Sequence, residues 1–214
     1  MNLKKIDLFK NLSEEDLEKI SQYISLEERS YRKGETIFNQ GDISKDLFYL
    51  REGKIAIYNI DSNGKRFILE SLDKPMVFGE IYAYLDLPFD FYGEAMVDSK
   101  IIIIRDFKKI IEASPRALLV NFIDLLARKS LSLSKKNQII SSQSLRQKIS
   151  KVLLENEVNN KVDLTMTREE LADYLSVTRP SLSRELSNMV DSDLIEIDGR
   201  NIYIINKEEI IKQL

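Results

Sequence analysis

The chain has no cysteine and no histidine. Without cysteine there can be no disulfide, no thiol nucleophile and no cysteine-ligated iron-sulfur cluster; without histidine the commonest metal ligand, general base and neutral-pH switch is gone. Carboxylates are abundant but fall into no recognisable catalytic pair. No phosphate-cradling glycine loop or metal-ligand cluster is visible either, so an enzyme is not expected. Long apolar runs are missing: the longest, such as Ile101 to Ile104, are far too short to span a bilayer. The opening residues Met-Asn-Leu-Lys-Lys-Ile-Asp lack the apolar centre of a signal peptide. The expectation is a soluble cytoplasmic protein without membrane contact. Its 214 residues, 43% of them hydrophobic, suffice for one large or two modest domains with their own cores.

The most telling stretch that is present runs from Thr165 to Leu186. Thr167 and Glu170 sit three apart before an apolar run and can cap a helix reciprocally. Leu171 and Leu175 face inward together, and small Ala172 suits a close helix crossing. Ser176-Val177 breaks the pattern, Thr178 caps a second helix, and Pro180 falls in its first turn, where proline is tolerated. Leu182, Leu186, Met189 and Val190 form the expected buried stripe, leaving Arg179, Ser181, Ser183, Arg184 and Ser187 outward. Two guanidiniums among hydroxyls have the chemistry of a base reader in a DNA major groove, although an ordinary solvated helix face shares the composition. Directly afterwards, Leu194 to Ile197, Asp198-Gly199 and Asn201 to Ile205 spell a hairpin with a type I′ signal, completing a winged helix-turn-helix. Arg200 and Asn201 at its tip are candidates for phosphate contacts or a plain surface turn.

The N-terminal half differs in texture: six of the seven glycines lie between Gly34 and Gly93. Strand-type runs at Asp46 to Leu50, Lys54 to Ile60, Arg66 to Leu72 and Lys100 to Arg105, with Asn63-Gly64 as a hairpin turn, predict a sandwich or jelly roll. A short amphipathic helix over Ser13 to Tyr23, apolar at Leu17, Ile20 and Ile24, precedes it. From Pro115 to about Gln143 no internal glycine or proline interrupts a long helix. Leu119, Ile123, Leu126, Ser130, Leu133, Asn137 and Ile140 follow 4-3 spacing, a seam for a partner helix in a homodimer; burial within one chain is the alternative. Leu118, Phe122 and Leu125 form a second stripe suited to packing on the β-domain. Serines 141, 142 and 144 mark a hinge.

The net charge of −3 argues against nonspecific coating of nucleic acid. Residues 1–114 carry 17 basic and 21 acidic side chains, residues 115–143 carry 5 and 1, and residues 144–214 carry 10 and 13. The C-terminal part must therefore hold DNA through a few placed arginines and helix N-termini, with Arg146, Lys148 and Lys151 as neighbouring phosphate candidates.

In combination these motifs resemble the Crp-Fnr family of bacterial transcription regulators, across nearly the whole chain. RKGETIFNQGD at Arg32 to Asp42, LREGKIAIY at Leu50 to Tyr58 and VFGEI at Val77 to Ile81 resemble its cyclic-nucleotide-binding-type roll; SVTRPSLSREL resembles its recognition helix. The resemblance implies an α+β fold: an effector-sensing roll (residues 1–114), a dimerisation helix (115–143) and a winged helix-turn-helix (144–214). It implies a homodimer on palindromic double-stranded DNA, with RNA polymerase and an unidentified small-molecule effector as further partners. The DNA-contacting set would be Thr178, Arg179, Pro180, Ser181, Ser183, Arg184, Arg200 and Asn201. The other reading is a ligand-binding regulatory subunit that docks on protein without touching DNA.

Two departures matter. Cyclic-nucleotide binders of the family place an Arg-Ser pair after Phe-Gly-Glu, whereas Leu85 to Asp98 holds no basic residue and carries Asp86, Asp90, Glu94 and Asp98. A cyclic phosphate such as that of cAMP would meet repulsion there, so Gly79 and Glu80 are expected to keep a turn rather than bind ribose. Phe78, Tyr82, Phe89, Phe91, Tyr92 and Met96, with Tyr84, either line an apolar effector pocket or are core packing. An apolar effector or a haem, as in the nitric-oxide-responsive members, would fit that lining; haem would need Tyr, Met or Lys as ligand. The iron-sulfur branch is excluded by the missing cysteines. In the recognition helix, Pro180 stands where many members carry a cytosine-reading glutamate, which implies an altered target.

Overall fold

The computed structural model describes residues 3–62, 64, 66–164 and 166–214; Asn63 of the expected hairpin turn and Thr165 lie outside them. The chain forms two compact units, Met1–Lys129 and Ser130–Leu214. The long helix α4 (Arg116–Ile140) supplies residues to each.

In the first unit, helix α1 (Glu14–Ser21) starts at Ser13, whose hydroxyl accepts the Asp16 N–H at 3.0 Å while the Asp16 carboxylate accepts the Ser13 N–H. Eight strands follow: β1 (Leu26–Tyr31), β2 (Thr36–Phe38), β3 (Leu47–Glu52), β4 (Ile55–Ile60), β5 (Arg66–Leu72), β6 (Met76–Phe78), β7 (Tyr92–Ala95) and β8 (Ser99–Ile104). They pair antiparallel into two sheets, β1-β8-β3-β6 and β2-β7-β4-β5. Because side chains alternate along a strand, the isoleucine run of β8 serves two cores. Ile101 and Ile103 point between the sheets with Phe38, Phe48, Leu50 and Ile57. Ile102 and Ile104 point the other way, onto a core that holds Ile6, Phe9, Phe107, Leu118 and Phe122. A strand buried on both faces reads as a continuous apolar run, which is why four isoleucines stand in a row. The second stripe of α4 thus packs as its spacing predicts, with Leu118 and Phe122 buried and Leu125 partly so.

Helix α2 (Glu80–Leu85) bridges β6 and β7, and α3 (Phe107–Glu112) precedes α4. Gly79 before α2 has φ +77°, and a Cβ there would come within 3.0 Å of the Phe48 ring, so both backbone and space demand glycine.

The second unit begins within α4, which ends at Ile140. Helix α5 (Leu145–Glu155) restarts at Ser144, whose hydroxyl accepts the Gln147 N–H at 3.1 Å. Ser144, one of the serines expected to mark a hinge, is a helix cap. Helices α6 (Arg168–Tyr174) and α7 (Arg179–Asp191) follow, and helix α8 (Lys207–Lys212) ends the unit. A four-stranded antiparallel sheet runs in the order β11 (Ile195–Asp198), β12 (Asn201–Ile204), β10 (Lys161–Val162) and β9 (Glu157–Val158). One core, including Ile139, Ile149, Leu171, Leu182, Met189 and Ile202, joins them.

Candidate nucleic-acid interface

Helix α6 opens on a reciprocal cap: the Thr167 hydroxyl accepts the Glu170 N–H at 3.2 Å, and the Glu170 carboxylate accepts the Thr167 N–H at 2.7 Å. Ser176 turns the chain at φ +56°. Thr178 then caps α7, its hydroxyl oxygen accepting the Ser181 N–H at 3.3 Å, with Pro180 in the first turn. Leu171, Ala172, Leu175, Leu182, Leu186 and Met189 are buried between the helices. Val190 departs from the expected stripe: it is 36% exposed, since the apolar face of α7 closes with Met189.

Thr178, Arg179, Pro180, Ser181, Ser183 and Arg184 all lie exposed on α7 or at its cap. They differ in freedom. The Ser181 hydroxyl lies 2.8 Å from that of Thr178 and is engaged in the cap, and Arg179 pairs loosely at 3.7 Å with Glu169 of α6. Arg184 is exposed and forms no ion pair among the described residues. Sequence reasoning missed Glu169 and also Arg168, a half-buried cation at the start of α6 whose pKa is pulled down by burial. Of the neighbouring basic residues, Arg146 is tied to Glu185 at 2.5 Å and Lys151 donates to the Gln138 carbonyl at 3.3 Å.

The wing forms, but its turn is not type I′. Asp198 pairs with Asn201, leaving Gly199 and Arg200 as the loop, and of these only Gly199 has positive φ, whereas type I′ requires both. Arg200 is exposed and Asn201 half-buried. A turn with both central residues left-handed does occur at Asn159-Asn160, φ +53° and +63°, joining β9 to β10. That hairpin went unread because its strands are too short to show alternation.

In the roll, the expected pocket residues divide. Phe78, Tyr82, Phe89 and Phe91 pack together with Phe38 and Phe48: the Phe38 and Phe89 rings stack at 4.1 Å, Phe48 and Phe78 at 5.3 Å, and Tyr82 meets both Phe89 and Phe91 at 5.1 Å. Tyr92 is not among them. Alternation along β7 sends Ala95 inward and Tyr92 outward, where it stacks on Tyr58 at 5.4 Å. Met96 follows the strand, half-buried, its N–H on the Lys54 carbonyl. A cavity of about 270 Å³ beside Arg29, Tyr31, Phe38, Asp42 and Arg105 includes Phe89 alone of the expected set.

Of the four acidic residues from Leu85 to Asp98, two are answered by cations, and Asp98 accepts the Lys33 backbone N–H at 2.9 Å. Asp86 pairs with Lys108 at 2.6 Å, a bond that holds its pKa below the usual carboxylate range, and Glu94 pairs with Arg66 at 2.8 Å. Asp90 accepts the Tyr82 hydroxyl at 3.2 Å; burial first, then that carboxylate, pushes the Tyr82 pKa up to about 12. Glu80 is buried and paired with Lys129 of α4 at 2.8 Å.

With this geometry the comparisons agree. Residues 28–114 match the cyclic nucleotide-binding domain family and residues 147–212 the Crp-like helix-turn-helix domain family. The probable transcriptional regulator flp of Lacticaseibacillus casei is 27% identical over 95% of this chain and 94% of its own. The nitrogen fixation regulation protein FixK of Rhizobium meliloti is 25% identical over 84% and 83%. The chain belongs to the Crp-Fnr family of transcription regulators. Solved structures share the fold of this Crp-Fnr regulator: FixK2 from Bradyrhizobium japonicum at TM-score 0.64 and 20% identity, covering 88% of this chain and 96% of that one. CprK complexed with OCPA superposes at TM-score 0.71 and 14% identity, covering 92% and 93%. This Crp-Fnr member is accordingly a DNA-binding regulator and not an enzyme.

Along α4 of the regulator, Leu119, Ile123, Ser130, Leu133 and Asn137 are exposed, while Leu126 and Ile140 are half-buried. Leu126 lies against the core of the roll. Among the described residues no helix is long and apolar enough to cross a membrane.

Proposed function

We propose that this regulator acts in the cytoplasm as a homodimer joined along the α4 seam from Leu119 to Ile140, with α7 of each protomer in the major groove of one half of a DNA palindrome. Residues 1–114 serve as the sensor, 115–143 as the dimer helix and 144–214 as the reader. The supporting observation is Arg184, an exposed guanidinium without an ion pair among the described residues, on the outward face of α7, where a bidentate contact to guanine contributes about 1–3 kcal/mol. Arg179 joins Arg184 at the base edges, Thr178, Ser181 and Ser183 position the helix, Pro180 offers an apolar surface, and Arg200, Asn201 and Arg168 take phosphates. The two half-site centres then lie about 34 Å apart, one helical turn.

The roll takes an effector other than a cyclic nucleotide. In support, residues 85–98 hold no cation and the carboxylate of Glu80 is already committed to Lys129. RNA polymerase is the partner through which binding acts on transcription. The test is Arg184→Ala: affinity for the selected palindrome falls by about ten- to a hundredfold, with melting unchanged because the side chain is exposed. Undiminished protection of the palindrome would remove Arg184 from the reading role. Binding with no sequence preference would favour the protein-docking alternative.

A further inference from the structure

Glu80 opens α2, a helix hung between two left-handed residues, Gly79 at φ +77° and Asp86 at φ +55°. Its carboxylate, only 4% exposed, receives Lys129 at 2.8 Å, and the same ammonium donates to the Val77 carbonyl at 2.8 Å. A carboxylate so buried is costly to leave unpartnered, and removing the cation leaves it without compensation. The rest of α2 is held on one side only: Ala83 is buried and Tyr82 packs on Phe89 and Phe91, but Ile81, Tyr84 and Leu85 are 46%, 38% and 52% exposed.

The two partners belong to different levers. Glu80 follows Phe78 and Gly79 directly, and Phe78 is part of the interlocked rings, so only one residue separates those rings from Glu80. Lys129 is the last residue of the first compact unit, and α4 continues unbroken to Ile140 in the second. We propose that the Glu80–Lys129 pair is the clamp through which the roll governs DNA binding: it fixes where α4 leaves the roll, and its opening changes operator affinity. Lys129 is a positioning residue, acting through α4 rather than on DNA. The clamp rests on the DNA-reading role proposed above.

The test uses the full chain with Lys129→Met and Glu80→Gln, singly and together. Hydrogen–deuterium exchange, which needs no DNA, is expected to rise about tenfold over residues 130–140 and to stay at the wild-type level in α5. Affinity for the palindromic duplex that the wild-type chain selects from a randomised library is expected to shift by about tenfold or more in each single variant, within the usual span of coupling between sites. The double variant shifts no further than the larger single, as two groups acting as one unit require. Lys129→Arg, which keeps charge and donors, remains near the wild type in both readouts. Leu118→Ala, a core deletion in the same helix, lowers the melting temperature without changing either. Wild-type exchange and affinity in both single variants would overturn the clamp; so would additive shifts, or the same shifts in Leu118→Ala. If the wild-type chain selects no duplex, the DNA-reading role fails, and the exchange measurement still decides the clamp.

Discussion

Ser176 holds the turn between α6 and α7 at φ +56°, where an L side chain crowds its own carbonyl. That conformation costs about 1–2 kcal/mol. Glycine would escape it while giving up about 0.5–1 kcal/mol in chain entropy. Ser176→Gly should therefore stabilise the reading unit by up to about 1 kcal/mol, visible as a rise of a few degrees in melting temperature with operator affinity unchanged. A fall in melting temperature would mean that the serine contributes something the backbone does not show. Nearby, Asp173 has its pKa raised, first by burial and then by the charge of Glu169, against the opposing pull of Lys136. A carboxylate whose folded pKa is raised binds its proton more tightly in the folded state, so its ionised form costs stability at neutral pH. Asp173→Asn should raise the melting temperature at pH 7, with the gain shrinking as acidification passes through the raised titration range. A gain that is constant with pH would point to packing instead.

The elements legible in the sequence are those whose cause is local. The caps at Ser13 and Thr167 need only neighbours three residues away, and β8 announces itself because burial on both faces leaves no polar position from Ile101 to Ile104. The short strands β9 and β10 were not legible, since two residues cannot display a period. Tyr92 was misplaced for a related reason: aromatic density around residue 90 is visible in sequence, but which side of β7 each ring takes depends on register. The pairs Glu80–Lys129, Arg146–Glu185 and Arg179–Glu169 join residues far apart in the chain or across a turn, and no spacing announces them. For α4 the two stripes were legible, and their difference in exposure yields a prediction. Ile123 and Leu133 are 65% and 60% exposed, so Ile123→Glu and Leu133→Glu should leave the fold intact while placing like charges across the seam. Sedimentation should show dimer for the wild-type chain and monomer for both variants. A dimer that persists in both variants would move the interface off this seam.

For the whole molecule, charge decides how DNA is held. Residues 144–214 carry 13 acidic against 10 basic side chains, and several of the cations are already paired, Arg146 with Glu185 and Lys207 with Glu157 among them. Few counterions can therefore be released on binding. If Arg168 and Arg200 of each protomer sit on phosphates and Arg179 and Arg184 on bases, about four contacts neutralise the backbone, and the slope of log affinity against log salt is about −4. Were all four arginines of both protomers on phosphates, it would approach −7. Titrations between roughly 50 and 200 mM salt distinguish these arrangements. Arg200→Ala should flatten the slope by about 2 in the dimer and weaken all sequences alike, whereas Arg184→Ala should relax base preference and leave the slope nearly unchanged. A wild-type slope steeper than about −7 would require cations beyond these four arginines, and if replacing the remaining basic residues of the reading unit left it steep, the basic segment 115–143, with five basic residues and one acidic, would have to lie against DNA as well as serve the dimer.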